Sequence, residues 1–335
     1  MVKKKGKHSI LFAVLGVLLL VTLAMDLAWG SIRIPFSELL AVLTGNTADP
    51  INYEILVNFR LPKAITAIIA GASLSVSGLL MQTLFRNPLA DPYILGISSG
   101  ASLGVAITMM GATLLPVFWI TSGWGIITAA VTGATLVMLL VIAVSYRLSN
   151  AVSLLIVGIM FGTIAGSIVS IIQNFSNPDA IKLFVLWTFG SLSAVNWEQM
   201  QILLPVTVIG LLLAFALHKS SDGMLLGENY ARGLGINIRQ TRILMVVATG
   251  ILTGSITAFT GPIAFVGVAV PHIARGVFKT SSHKILIPAS VLIGAVLILI
   301  CDIISQLPEY TLPINTVSAL FGAPIIIWIL LRRKY

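Results

Sequence analysis

The sequence carries very little charge for its length. Only 9% of its 335 residues are Asp, Glu, Lys or Arg, whereas 57% are hydrophobic. A soluble domain has roughly 25% charged residues, which it needs to cover its surface. Because lipid is a solvent for apolar side chains, this composition excludes an ordinary soluble protein and indicates an integral membrane protein.

Cysteine and the common nucleotide and metal motifs are also scarce. The single cysteine, Cys301, excludes an internal disulfide and lies in an apolar run, as a small packed residue would. The sequence has no G-x-x-x-x-G-K-[ST] loop, no H-E-x-x-H motif and no Cys/His cluster. We therefore predict no catalytic residue, no metal site and no cofactor on this chain. ATP, if it is used, would bind a separate subunit.

Ionisable residues are rare within the apolar runs. His272 is the only candidate well inside such a run, and we interpret it as a hydrogen-bonded structural group. Ion-coupled secondary transporters usually place such residues at mid-membrane, so that class is the less favoured alternative. A transport chain without an energy source of its own is best explained as one part of a complex.

Ten apolar segments approach the roughly 20 residues that a membrane-spanning helix needs. The sequence thus predicts an all-α membrane protein, organised as a single permease domain over residues 1–335. The predicted spans are 10–28, 64–84, 94–115, 125–146, 152–175, 201–217, 243–260, 263–278, 285–305 and 317–331.

The basic residues predict the orientation of these spans. With the N-terminus in the cytoplasm, only four of the 20 Lys and Arg residues fall outside, namely Arg33, Arg60, Lys63 and Lys182. This bias places both termini and residues 218–242 inside. It also explains the net charge of +9 without a nucleic-acid partner. A cleaved signal peptide is the alternative for residues 1–30, but no A-x-A site follows the apolar run.

Small residues indicate how the helices associate. Glycines recur every four residues on the third span (Gly96, Gly100, Gly104) and on the fifth (Gly158, Gly162, Gly166). Such faces allow close backbone approach in lipid, so we predict tight packing, with a channel-lining face as the alternative.

The connecting segments are predicted to contain two short outer helices and one pair of short inner helices. Pro35 and the apolar spacing from Phe36 to Leu43 predict an amphipathic helix in the outer segment 31–63. Asn177 and Pro178 start a second outer helix. The inner segment 218–242 reads as two short helices, of which Asp222 can cap the first and Gly233 and Gly235 stop it. Either Gly233 or Gly235 is expected to need positive φ.

About twenty-five residues are more than a plain connector requires, so the inner segment is predicted to dock a soluble subunit; a passive loop is the alternative. The predicted coupling residues are Leu226, Gly227, Glu228, Ala231, Arg232, Gly233, Leu234 and Gly235.

Several motifs, in order, resemble those of the FecCD-type permeases, the membrane subunits of ABC importers for ferric siderophores, haem and cobalamin. Residues 59–63 (FRLPK) resemble R-x-P-R, and residues 78–92 resemble S-G-x-x-x-Q-x-x-x-R-N-P-L-A-x-P. Residues 226–235 resemble L-G-x-x-x-A-x-x-L-G, and residues 261–275 resemble G-x-I-x-F-V-G-L-x-x-P-H-x-x-R. Residues 312–313 and 322–324 complete the match, which extends over about residues 10–333.

The resemblance implies a dimeric, multi-pass subunit of the bacterial cytoplasmic membrane, paired with itself or with a close paralogue. An ABC ATPase dimer would dock inside and a substrate-binding protein outside, and helices 2–5 and 7–10 would form an inverted repeat. An iron chelate is the favoured cargo and cobalamin the alternative. Residues of the motifs and the path would be Gln82, Arg86, Asn87, Pro88, Gly158, Gly162, Gly166, Pro271, His272 and Arg275.

The outer face departs from the family pattern at two positions. Arg60 and Lys63 are expected to meet carboxylates of the binding protein, with Lys63 replacing the second Arg of R-x-P-R. Gln306 stands where the family often has Arg, four residues after Asp302. Both departures bear on how the binding protein docks.

Overall fold

The computed structural model describes residues 2–30, 32–44, 49–111, 123–148, 151–307 and 311–332, and every regular element in these ranges is helical. The predicted all-α class is therefore confirmed. The helices are α1 (Val2–Ala28), α2 (Phe36–Thr44), α3 (Pro50–Glu54), α4 (Leu61–Phe85), α5 (Ile97–Met110), α6 (Gly123–Ser145), α7 (Ala151–Asn174), α8 (Pro178–Thr188), α9 (Trp197–Ala216), α10 (His218–Leu225), α11 (Glu228–Gly233), α12 (Ile238–Thr260), α13 (Val266–Phe278), α14 (His283–Ser305) and α15 (Ile314–Arg332).

Seven helical stretches of the described chain are long and apolar enough to cross a membrane, and three shorter apolar helices occupy the other predicted spans. The seven include α1, α6, α7, α9, α12 and α14, together with one continuous stretch over Pro50–Phe85 in which a π-helical turn joins α3 to α4. The short ones are α5, α13 and the apolar part of α15. We call the end of the bundle that carries α10 and α11 the inner end, and the opposite end the outer end.

Two of the short spans, α5 and α13, begin later than predicted. The third span was expected from residue 94, but Pro92–Leu95 forms a 3-10 helix and Gly96 is left-handed (φ 76°), so α5 starts at Ile97. Residues 112–115 of that span lie outside the described residues. The eighth span was expected from residue 263, but Gly261 (φ 76°) and Phe265 (φ 68°) interrupt the helix, and α13 starts at Val266.

These two interruptions meet inside the bundle. The Tyr93 hydroxyl accepts a hydrogen bond from Ile263 N at 3.0 Å and donates one to Ile263 O at 3.2 Å. Non-helical backbone at membrane depth has to be satisfied by protein in this way. A long helix, an interrupted segment and a short helix thus occur once in α4–α5 and again in α12–α13. This recurrence agrees with the inverted repeat, which stays a prediction.

Glycine contacts bring the central helices together. A Cβ at Gly71 of α4 would overlap the backbone of Gly294 in α14, and one at Gly78 would overlap Gly267 in α13. As a result α4 is buried along most of its length. Backbones that approach this closely gain dispersion contacts that lipid cannot replace.

The predicted glycine faces are only partly packed. Gly96 lies where a Cβ would come within 3.0 Å of Gly158 O and Gly162 N, so those glycines make the predicted tight contact. At Gly166, by contrast, a Cβ would meet no described atom within 4 Å. The prediction of tight packing is wrong there within this chain, because α7 turns that part of its face away from the bundle.

Both predicted outer helices are present. Leu39 of α2 is buried, whereas Phe36 and Leu40 of the same apolar stripe are exposed. The second helix, α8, begins as predicted, with the Asn177 side chain accepting a hydrogen bond from Ala180 N at 2.8 Å and Pro178 in the first turn.

Candidate functional site

The inner segment folds into two short helices separated by a glycine. Gly227 (φ 114°) separates α10 from α11, and Gly235 (φ 78°) follows the second helix. The sequence predicts positive φ at Gly233 or Gly235, and the structure has it at Gly235, whereas Gly227 was predicted only as a coupling residue. Gly233 ends α11 without a positive φ.

Three large apolar side chains of this segment are exposed. Leu226, Tyr230 and Leu234 follow one another at a spacing of four residues, with exposed fractions of 63%, 59% and 58%. Ala231, next to Tyr230 in α11, is fully buried and anchors the helix. The remaining coupling residues, Arg232, Gly233 and Gly235, are exposed, and Gly227 and Glu228 are half-buried.

Asp222 does not cap α10, so that prediction is wrong. It lies within the helix, because α10 follows α9 after a single residue and leaves no separate capping position. Its carboxylate instead accepts hydrogen bonds at the start of α14, from His283 N and Nδ1 at 2.7 Å each and from Ser282 Oγ at 3.2 Å. Partial burial raises the pKa of Asp222, but the hydrogen bonds from His283 outweigh it and the pKa lies below its usual value.

An ion pair holds α11. Glu228 Oε1 lies 3.0 Å from Arg242 Nη2, near the start of α12. Arg242 is almost completely buried and also donates to Leu148 O at 3.4 Å, just after α6. Each short helix of the inner segment is therefore tied by a side-chain contact to a different long helix.

The motif at the end of α4, residues 78–92, lies against α13. Gln82 Oε1 accepts a hydrogen bond from Arg275 at 2.5 Å, and Gln82 Nε2 donates to Val268 O at 3.2 Å. His272 Nε2 donates to Pro88 O at 2.8 Å, which agrees with its interpretation as a hydrogen-bonded structural group.

The turn itself starts at Arg86, which is left-handed (φ 47°), and the Asn87 side chain accepts from Leu89 N at 3.0 Å. Asp91 accepts from Tyr93 N at 2.8 Å, and burial raises the pKa of this carboxyl to about 6. Pro271 is buried within α13, close in sequence to the residues that hold the turn. Gly158, Gly162 and Gly166 lie elsewhere, on α7.

The two outer basic residues have partners within the chain. Arg60 is 9% exposed and donates hydrogen bonds to Leu27 O and Ile32 O. Lys63 Nζ lies 2.7 Å from the buried carboxylate of Asp302, which also accepts from Gln306 Nε2 at 3.0 Å. Neither cation stands free on the surface, and their contact with a binding protein stays a prediction.

Known proteins resemble this chain over most of its length. A model described as the FecCD transport family matches residues 18–332. The chain belongs to this family. Among its relatives, the vitamin B12 import system permease protein BtuC of Klebsiella pneumoniae is 35% identical over 324 residues, which cover 96% of this chain and 93% of BtuC. The ABC transporter permease protein YvrB of Bacillus subtilis is 32% identical over 327 residues, covering 94% and 91%.

A solved structure has the same fold. An inward-facing conformation of a metal-chelate type ABC transporter superposes with a TM-score of 0.86 at 25% identity, over 97% of this chain and 99% of that one. This FecCD protein is therefore a membrane-embedded permease subunit of an ABC importer.

Two functional features of this FecCD permease were not predicted from its sequence. Asp26 of α1 is buried and interacts electrostatically with Asp302, Lys63 and Arg60 at the outer end. The sequence signal for this contact was the acidic side chain of Asp26 near the end of the first predicted span. The contact of Asp222 with His283 joins residues that are 61 positions apart, and no local sequence pattern predicts it.

Proposed function

We propose that this permease carries an iron chelate, a ferric siderophore or haem, across the bacterial cytoplasmic membrane. The observation that supports it most is the fold shared over nearly the whole chain with a metal-chelate type transporter. The near absence of ionisable groups within the spans also suits a bulky cargo that is passed on and not bound tightly.

Cobalamin is the second candidate, and the 35% identity with the vitamin B12 permease BtuC supports it. Cells that lack their own importers would be given this permease together with an ATPase and a binding protein from the same organism. Uptake of labelled ferric siderophore, haem and cobalamin is then compared. Uptake of cobalamin alone would contradict the iron-chelate proposal, and uptake of none would contradict both.

We propose further that the exposed face formed by Leu226, Tyr230 and Leu234 docks the ATPase. These exposed apolar side chains, on a segment that the buried Ala231 holds against the bundle, form a small preorganised surface of the kind that partners recognise. Tyr230→Asp should reduce copurification of the ATPase. Phe36→Asp places the same charge at a similarly exposed apolar position of α2 and should leave copurification unchanged.

The binding protein is proposed to dock at the outer end, around a cavity lined by Asn58, Lys63, Asn196 and Gln306. Because Lys63 already pairs with Asp302, charge there would steer association more than hold the complex. The association rate of the purified binding protein, measured at low and high salt, tests this. A rate that does not depend on salt would contradict electrostatic steering.

A second permease subunit, identical or closely related, is proposed to pack on α7. This helix exposes large apolar side chains along much of its length, and Gly166 leaves room for close approach. The mass of the purified permease in detergent, with and without Gly166→Leu, tests this. A monomeric parent, or a variant that dimerises equally well, would contradict it.

A further inference from the structure

A buried hydrogen-bonded chain connects the inner segment to two central helices. It runs from Asp222 in α10 to His283, the first residue of α14, and on to Thr83 in the last turn of α4. Asp222 Oδ1 lies 2.7 Å from His283 Nδ1, and His283 Nε2 lies 2.7 Å from Thr83 Oγ1. His283 and Thr83 are both fully buried.

The direction of one of these hydrogen bonds follows from the acceptor. An ionised carboxylate can only accept, so His283 Nδ1 donates to Asp222. The Thr83 hydroxyl lies 2.7 Å from His283 Nε2 and 2.8 Å from Leu79 O, and its single hydrogen can be donated to either of them. A hydrogen bond to a carboxylate is shorter and stronger than a neutral one, and removing Asp222 would leave the buried His283 without this acceptor.

The position of this chain suggests what it does. The docking face on α11 is at the surface, whereas α4 lies at the centre of the bundle and is held by glycine contacts to α13 and α14. The ion pair of the inner segment, Glu228 with Arg242, leads to α12. The chain through Asp222 thus provides a polar connection from the inner segment to α4 and α14 together.

We propose that Asp222, His283 and Thr83 are positioning residues that transmit movement of the docked inner segment to α4 and α14. The inference rests on the proposed function, in which an ATPase docks on α11 and drives transport. If the link is absent, ATP hydrolysis should continue, but a smaller fraction of the hydrolysed ATP should lead to transport. A residue that only stabilises the fold would lower hydrolysis and transport together.

The test measures ATP hydrolysed per substrate molecule taken up, with the permease, its ATPase and its binding protein reconstituted in vesicles. Labelled cobalamin and a labelled ferric siderophore serve as probes. Asp222→Ala should raise this ratio by about tenfold, which corresponds to roughly 1.4 kcal/mol of lost linkage. Asp222→Asn keeps an accepting oxygen but loses the charge, so it should raise the ratio less.

The matched control is Asn237→Ala. Asn237 also caps a helix that begins at the inner end, accepting a hydrogen bond from Gln240 N at 3.1 Å at the start of α12, but it lies outside the docking face. It should retain the ratio of the parent. If Asp222→Ala does not reach the membrane, Thr83→Val cuts the same chain at its other end and is judged by the same ratio.

The outcomes separate the two proposals. A parent complex that takes up neither probe with ATP would overturn the proposed function and this inference with it. A working parent whose ratio is unchanged in the Asp222 and Thr83 variants would overturn this inference alone. A ratio that rises equally in Asn237→Ala would also overturn it, because loss of any cap would then suffice.

Discussion

Replacing Gly235 by Val should weaken docking of the ATPase through backbone strain alone. Gly235 has φ 78°, and a Cβ there would meet no described atom within 4 Å, so the added side chain clashes with nothing in the permease. An L-residue in the left-handed region costs about 1–2 kcal/mol, and β-branched residues fit it worst. If the docked shape requires this conformation, affinity for the ATPase should fall by about 5–30-fold. Titration of labelled ATPase against the purified permease measures it.

Two companion variants separate strain from bulk. Gly233 is equally free of neighbours but has no positive φ, so Gly233→Val should change the affinity little. Gly235→Asn adds a side chain of similar size that tolerates the left-handed conformation, and it should recover most of the binding. The reasoning would be refuted if Gly233→Val were as harmful as Gly235→Val, or if Asn were no better than Val.

Three further predictions concern the outer end, the buried turn and the orientation. Lys63→Met leaves the Asp302 carboxylate, whose side chain is 5% exposed, without its cation and should destabilise the protein by about 3–5 kcal/mol. The double variant with Asp302→Asn should recover most of the lost melting temperature. An equal loss in the single and double variants would contradict the pairing. Burial raises the pKa of Asp91 from 3.8 to about 6, so stability falls as pH rises through that range. Asp91→Asn should therefore raise the melting temperature at about pH 7.5 more than at about pH 5, and an equal effect at both would count against this. In a cysteine-free background, an impermeant thiol reagent applied to intact cells should label a cysteine at Asp49 and not one at Asn229; the reverse pattern would invert the topology.

The sequence predicted features that depend on local composition and local geometry. Ten apolar segments and two outer helices follow from hydropathy and from capping residues such as Asn177, because neighbours in the chain suffice to define them. A positive φ at Gly233 or Gly235 was predicted for the same reason, and the structure has it at Gly235. The start of α13 was missed, since the left-handed Phe265 depends on contacts with distant residues, including Gly322 of α15.

Side-chain pairing was decided by the tertiary structure. Asp222 has the right chemistry for a helix cap, and the sequence assigned it to the nearest helix, whereas the fold brings it to His283 and the start of α14. Arg60 and Lys63 look like free surface cations in the sequence but are occupied by Leu27, Ile32 and Asp302. Hydrophobicity acts through each residue and its neighbours, so the sequence alone determined the membrane class and the order of the spans. A charged side chain buried in lipid or protein needs a specific partner, and only helix packing determines which distant residue comes within reach.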